Sequence, residues 1–257
     1  MSHAGATALV REVSPSVSRC ELTHLARAPI DFEEAKRQHA RYIAALEVLG
    51  CRIEWLPPLP DHPDAVFVED TAVVLDELAV VTRPGAESRR GETASVAEAL
   101  GKYREVRVMK GPGTLDGGDV LRLGRTLYVG ITPRTDAAGR AELAALVEDA
   151  GYRVCPVAVH GCLHLKSAVT EVAPSILLAN PKWISVADFS SFRVVPVALA
   201  EPAAGNALRV GEMVIHAAEF PATRSRLAVA GIPVRQVPAS ELAKAEGGVT
   251  CCSLMLA

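Results

Sequence analysis

The chain repeats itself, and this limits what it can fold into more than any other feature of its 257 residues. Five short apolar segments, at 52–57, 106–110, 153–157, 193–197 and 234–238, each read as a strand closed by a breaker or a charge. They recur at intervals of roughly 40 to 50 residues, the spacing of propeller blades and similar arrays. A polar or Gly-rich loop follows each segment and leads into two apolar runs split by a turn. The pairs are 66–74 with 78–82, 119–123 with 126–131, 166–172 with 176–179, and 207–210 with 213–216. Their turns fall at Asp76-Glu77, Gly124-Arg125, Ala173-Pro174-Ser175 and Gly211-Glu212, so alternation and turn chemistry predict four hairpins. The fifth copy is halved. Residues 250–256 supply its first strand, and the apolar-polar run 7–13 at the other end of the chain supplies the partner. Pairing the two ends closes a ring and removes exposed sheet edges.

Helices fill the gap ahead of each third strand. Asp31 caps a helix running to Leu49, and Glu34 three positions on completes a capping box. Its apolar stripe is Phe32, Ala35, Tyr42, Ile43, Leu46 and Leu49, and Gly50 ends it. Residues 94–103, 137–150 and 222–230 read as further amphipathic helices. The unit is therefore strand, strand, helix, strand, within an α/β chain that forms one domain over 1–257. A generic open α/β sheet is the alternative that the same pattern allows.

Composition narrows the function classes. Lys and Arg number 27 against 30 Asp and Glu, a net charge of −3, and aromatics make up 4%. This balance gives no general affinity for nucleic acid or anionic membrane. No run approaches the ~18 consecutive apolar residues of a membrane span, and residues 1–5 lack the basic and apolar regions of a secretory leader. Six cysteines are far below disulfide-scaffold density, and Cys251 and Cys252 are adjacent. These features predict free thiols in a reducing cytoplasm. The repeat pattern sets no oligomeric state.

The unusual polar residues sit in the loops that lead into the hairpins. The first loop has Asp64, Glu69 and Asp70, and the second has Asp116 and Asp119 in a Leu-Asp-Gly-Gly-Asp run. The third has His164, and the fifth has Cys251 and Cys252 after Gly247-Gly248. Equivalent loops of a repeat array converge on its axis, so these residues share one pocket. Each has a plain reading on its own: a cysteine or histidine in the core, a Gly-Gly-Asp turn, a solvated acidic pair. His160-x-Cys162-x-His164 puts three possible zinc ligands on one strand face, a poor tetrahedral geometry without a CxxC pair, so no structural zinc is expected. As a set, a thiol, an imidazole and several carboxylates suit nucleophilic catalysis on a cationic guanidinium.

Five blocks, taken in order, resemble the dimethylarginine dimethylaminohydrolase family from about Val10 to the C-terminus. They are Phe67-Val-Glu-Asp-Thr-Ala-Val-Val74, Thr82-Arg-Pro-Gly-Ala-Glu-Ser-Arg-Arg90, Thr114-Leu-Asp-Gly-Gly-Asp-Val-Leu121, His164-Leu-Lys-Ser167 and Thr250-Cys-Cys-Ser253. The resemblance implies the pentein fold, a five-bladed α/β propeller of these modules around a central pocket. It implies Cys251 as nucleophile, His164 as general acid and base, and Asp116 as its orienting partner, where some relatives carry Glu. Asp70 would hold the guanidinium with Glu69 close by. Asp64, Arg89 and Arg134 would bind the amino-acid end, framed by the backbone at Leu22 and Ala245.

The implied reaction converts asymmetric dimethylarginine or monomethylarginine to citrulline and an alkylamine, with no cofactor or metal. Zinc at Cys251 and His164 would act as an inhibitor. Rival readings are an arginine or agmatine deiminase and a non-catalytic arginine-binding protein. Arg89 and Arg134 favour a substrate with an α-carboxylate, and the presence of both Cys251 and His164 disfavours a pure binder. Read as a strand, 250–256 lets only one of Cys251 and Cys252 face the pocket.

Overall fold

The computed structural model of the chain describes residues 5–256; the leader reading above rests mostly on residues 1–4, which lie outside them. Among the described residues the strands form five three-stranded sheets. The hairpin Ala72–Val74 and Leu78–Val81 is followed by Glu105–Val108, which lies parallel to the second strand. The same order repeats in Val120–Leu123, Thr126–Ile131 and Arg153–Ala158. It repeats again in Val169–Ala173, Ile176–Ala179 and Arg193–Pro196, and in Ala207–Val210, Met213–Ala217 and Val234–Val237. The fifth sheet joins the two ends of the chain. Leu254–Leu256 runs antiparallel to Thr7–Val10, with Thr7 opposite Leu256, and Arg52–Trp55 completes the sheet.

A parallel third strand needs a crossover, and helices supply most of these connections. They are Phe32–Val48, Thr93–Leu100, Ala137–Val147 and Pro221–Val229. The third unit departs from the expected pattern, because its short connection holds only the 3-10 turn Val186–Phe189. Asp31 caps the first helix as expected, accepting from the Glu34 backbone N–H at 2.9 Å. The capping box is only half formed. Glu34 turns to Arg37 and Gln38, and the Asp31 N–H donates to Glu241 instead.

Five apolar clusters fill the spaces between sheets, and strand alternation explains how. Ala8 and Val10 pack against Val210 and Ile215 of the fourth sheet, whereas Leu9 between them packs with Ala72 and Ala79 of the first. Val73 and Val80 share a cluster with Val120 and Leu127; Leu121 and Leu123 share one with Val169 and Leu177. Val172 and Leu178 pack with Ala207 and Val214. Strands buried on both faces read as continuous apolar runs, as Leu78–Val81 does.

Three runs taken as strands are only partly extended. Residues 66–74 contain the 3-10 turn Val68–Thr71, 166–172 begin in the helical turn Leu165–Ala168, and 250–256 begin in the 3-10 turn Thr250–Cys252. Apolar character marked burial there, not extension. The strand expected over 7–13 stops at Val10, whose carbonyl accepts from the Leu56 N–H, because Pro57 and Pro58 next along the neighbouring strand have no N–H to continue the ladder. No helix among the described residues is long and apolar enough to cross a membrane.

Candidate active site

The segment entering the first strand of each sheet carries the polar groups, and two glycines let three of these segments meet. A Cβ on Gly117 would lie 2.1 Å from the Glu69 carbonyl oxygen. One on Gly118 would lie 2.5 Å from Asp70 Oδ1 and 2.7 Å from His164 Nδ1. Such separations are inside van der Waals contact, so only glycine permits the approach. The Gly118 N–H uses the proximity by donating to Asp70 Oδ1 at 3.1 Å.

His164 is buried and held between carboxylates. Its Nε2 is 2.9 Å from Asp116 Oδ2, and its Nδ1 is 3.6 Å from Asp70 Oδ1. Asp116 has no exposed surface, and its Oδ1 accepts from the Gly85 N–H at 2.8 Å. Burial by itself would lower the His164 pKa, but the charge of Asp70, the Asp116 hydrogen bond and the charge of Asp119 raise it to about 9. Asp70 stays below the ordinary carboxylate range despite burial because His164 and Arg89 are both beside it. Asp119 anchors the turn that follows the histidine: it accepts from Thr132 and Thr135 hydroxyls at 2.6 Å each and from the Leu165 N–H at 2.9 Å.

Cys251 is buried, and its Sγ accepts from the Gly248 N–H at 3.3 Å. Burial, with Glu69 and Asp70 nearby, pushes the thiol up to about 12. Strand alternation is not what separates the two cysteines, because both belong to the 3-10 turn. Cys251 lines a cleft with His164, Asp70, Asp64, Arg89, Arg134 and Ala245, whereas Cys252 directs its thiol to the Gly248 carbonyl.

The remaining expected residues divide between that cleft and its surroundings. Arg89, expected at the amino-acid end of a substrate, lies against Asp70 at 2.5 Å. Its other nitrogens bond Glu92 and the carbonyls of Asp64 and Phe67. Arg134 reaches the cleft and donates to Thr23 Oγ1 at 3.3 Å. Asp64 accepts from the Glu21 N–H at 3.1 Å, and burial raises its carboxyl to about 6. Leu22 is half-buried against the apolar cluster that contains Ala245. Glu69 is outside the cleft: it lines a separate cavity with Lys166 and Thr250, bonding each at 2.6 Å.

The cleft is nearly shut. Its volume is about 10 Å³, room for a single water. Glu246 closes one side, accepting from the backbone N–H groups of Thr23, His24 and Leu25. Among the described residues Asp70, Asp116 and His164 form one metal-compatible cluster, their ligand atoms within 4.8 Å of one another. Cys251 is not part of it.

Two residues escaped the sequence reading. Thr135 bridges Asp116 and Asp119, accepting from the Asp116 N–H at 3.2 Å. Asn206 precedes Ala207–Val210 and bonds Lys166 and Thr250. Its signal is positional: it is the polar residue just ahead of the hairpin in the fourth copy of the repeat.

No family model matches the chain. It is 42% identical over 251 residues to a Streptomyces coelicolor N(G),N(G)-dimethylarginine dimethylaminohydrolase, covering 97% of this chain and 96% of the relative. The Pseudomonas aeruginosa protein of the same name is 37% identical over 226 residues, 87% of this chain and 89% of the relative. A crystal structure of a cysteine-to-serine variant of the Pseudomonas aeruginosa protein with citrulline superposes with a TM-score of 0.93 at 34% identity, covering 97% and 98% of the two chains. Identity at this level along nearly the whole length of both relatives, joined to the shared fold, shows that the chain belongs to the dimethylarginine dimethylaminohydrolase family.

Proposed function

We propose that Cys251, His164 and Asp116 form the catalytic group of one unit spanning 1–257, in which five sheets stand as propeller blades around the cleft. Support for the ring comes from the paired terminal strands and from apolar clusters that each join two neighbouring sheets. The reaction is that of the family: asymmetric dimethylarginine and monomethylarginine are hydrolysed to citrulline and dimethylamine or methylamine. The observation that carries this reading is a thiol and an imidazole lining one cleft with Asp70, the imidazole backed by Asp116.

Near neutral pH His164 is an imidazolium and Cys251 a thiol. A guanidinium cation settling beside Asp70 offsets the carboxylates that hold the thiol protonated, and the thiol proton leaves to solvent. Sγ then attacks the guanidinium carbon and forms a C–S bond. Asp116 occupies Nε2, so Nδ1 delivers the proton to the methylated nitrogen. The C–N bond breaks, the alkylamine departs, and an S-alkylthiouronium stays on Cys251. Neutral His164 takes a proton from water as its oxygen adds to the same carbon. Cleavage of the C–S bond, with the hydroxyl proton of the adduct passing to the departing sulfur, then releases citrulline and restores the Cys251 thiol. The freed alkylamine takes up the proton first lost to solvent.

Every proton and electron pair is balanced by these groups and water, so the cycle uses no cofactor or metal. Arg134 anchors the α-carboxylate, Asp64 the α-amino group, and the Leu22 and Ala245 backbones frame them; Arg89 orients Asp70. Six cysteines joined by no disulfide among the described residues fit a reducing cytoplasm.

A deiminase acting on unmethylated arginine would release ammonia from the same apparatus. Citrulline, alkylamine and ammonia are therefore quantified from asymmetric dimethylarginine, monomethylarginine, symmetric dimethylarginine and arginine. Higher kcat/KM for the first two, with alkylamine matching citrulline, is expected. Faster turnover of arginine with stoichiometric ammonia would overturn the reading.

A further inference from the structure

Asn206 comes from the fourth unit, which supplies no member of the catalytic group, yet its buried amide touches the loops that carry His164 and Cys251. Its Nδ2 donates to the Lys166 carbonyl at 3.0 Å, two residues beyond His164, and to Thr250 Oγ1 at 2.9 Å, one residue before Cys251. Its Oδ1 accepts from the Thr250 N–H at 3.0 Å. Both amide protons and the oxygen are thus used, and reversing the amide would set Nδ2 against the Thr250 N–H. Thr250 Oγ1 donates a hydrogen bond to Glu69, and Glu69 pairs with Lys166. Asn206, Lys166, Glu69 and Thr250 therefore form a closed circuit linking four of the five loops.

The amide also sets the shape of the turn that carries the nucleophile. A Cβ on Gly248 would lie 2.5 Å from Asn206 Cγ and Oδ1, so the glycine backbone packs directly against the amide. That contact, with the two-point hold on Thr250, fixes both ends of the turn in which the Gly248 N–H meets Cys251 Sγ. A donor on a thiolate favours the ionised form.

We propose that Asn206 is a positioning residue that locks the Gly248–Cys251 turn against the His164 loop, so that the Gly248 N–H is aimed at the attacking sulfur. The proposal rests on Cys251 being the nucleophile. Its test is therefore read first without substrate. Iodoacetamide alkylation at Cys251 is followed against pH by mass spectrometry for the wild type, Asn206→Ala, Gly248→Ala and the double variant. Turnover of asymmetric dimethylarginine is measured alongside.

Asn206→Ala is expected to slow Cys251 alkylation near neutral pH by about tenfold, the scale of losing one hydrogen bond to a charged group. It should move the alkylation midpoint upward, and lower kcat about tenfold with little change in KM. Gly248→Ala alone should do the same by pushing the turn off the amide. Added to Asn206→Ala, it should cost less than about twofold more, because the space is then vacant. If Asn206→Ala does not fold, Asn206→Asp carries the test, since it keeps the shape and the acceptor for the Thr250 N–H but loses donation to the Lys166 carbonyl and to Thr250 Oγ1. An unmoved alkylation profile in a folded variant, or strictly additive losses in the double variant, would overturn the proposal. A shifted profile in an enzyme that turns over no methylarginine would sustain the positioning role and overturn the activity reading alone.

Discussion

Replacing Asp116 by Asn keeps the shape of a side chain with no exposed surface but reverses what it offers His164. With its oxygen kept on the Gly85 N–H, the new amide NH₂ faces Nε2, where a carboxylate oxygen stood at 2.9 Å. A charge-assisted hydrogen bond is lost, worth about 1.5–3 kcal/mol. At about 1.4 kcal/mol per pKa unit this is roughly one to two units. The proton on His164 should then be lost at about pH 7 to 8, down from the value of about 9 set by Asp70, Asp116 and Asp119. Half or more of the imidazole stays protonated near neutral pH, so the larger loss is of orientation. The same ~1.5–3 kcal/mol, withdrawn from the imidazolium as it protonates the leaving amine, should lower kcat about tenfold to a hundredfold while KM changes little. The assay is citrulline formation from asymmetric dimethylarginine from about pH 6 to about pH 10, with the alkaline limb of kcat/KM reporting the free enzyme. An unmoved limb, or an effect confined to KM, would refute the orienting role and reassign Asp116 to substrate binding.

Zinc should inhibit at micromolar concentration and be reversed by a chelator, because Asp70, Asp116 and His164 present converging ligand atoms. Calorimetric zinc binding should survive Cys251→Ser and be lost in His164→Ala; the opposite pattern would return the site to the thiol. Glu246→Ala removes the acceptor shared by Thr23, His24 and Leu25. Hydrogen exchange at those three amides should accelerate and KM should rise several-fold with kcat held, whereas unchanged protection would show that the segment is fastened elsewhere.

Period and punctuation carried much of the fold in the sequence. The turns at Gly124-Arg125 and Gly211-Glu212 stand where hairpin geometry needs them, and the pairing of Thr7–Val10 with Leu254–Leu256 followed from the halved fifth copy. Apolarity reported burial more faithfully than conformation: Val68 and Val249 are buried yet not extended. The loops that gather the site were legible because each repeat has one. The partners within them were not. Arg89 could be read as a substrate ligand or as a structural cation, and only the packing of Asp70 and Glu92 around it distinguishes these. Glu69 stood next to Asp70 in sequence, but the 3-10 turn sends the two side chains to different cavities. Asn206 carried no charge and no reactive atom, so only its place in the repeat marked it.

Covalent attack by Cys251 is the central claim, and trapping the intermediate tests it most directly. A single turnover of asymmetric dimethylarginine is quenched in acid, digested, and the C-terminal peptide sequenced by mass spectrometry. The account predicts an S-alkylthiouronium on Cys251 in the wild type and in Cys252→Ser, and none in Cys251→Ser. An adduct on Cys252, or turnover to citrulline by Cys251→Ser with no adduct at all, would contradict it.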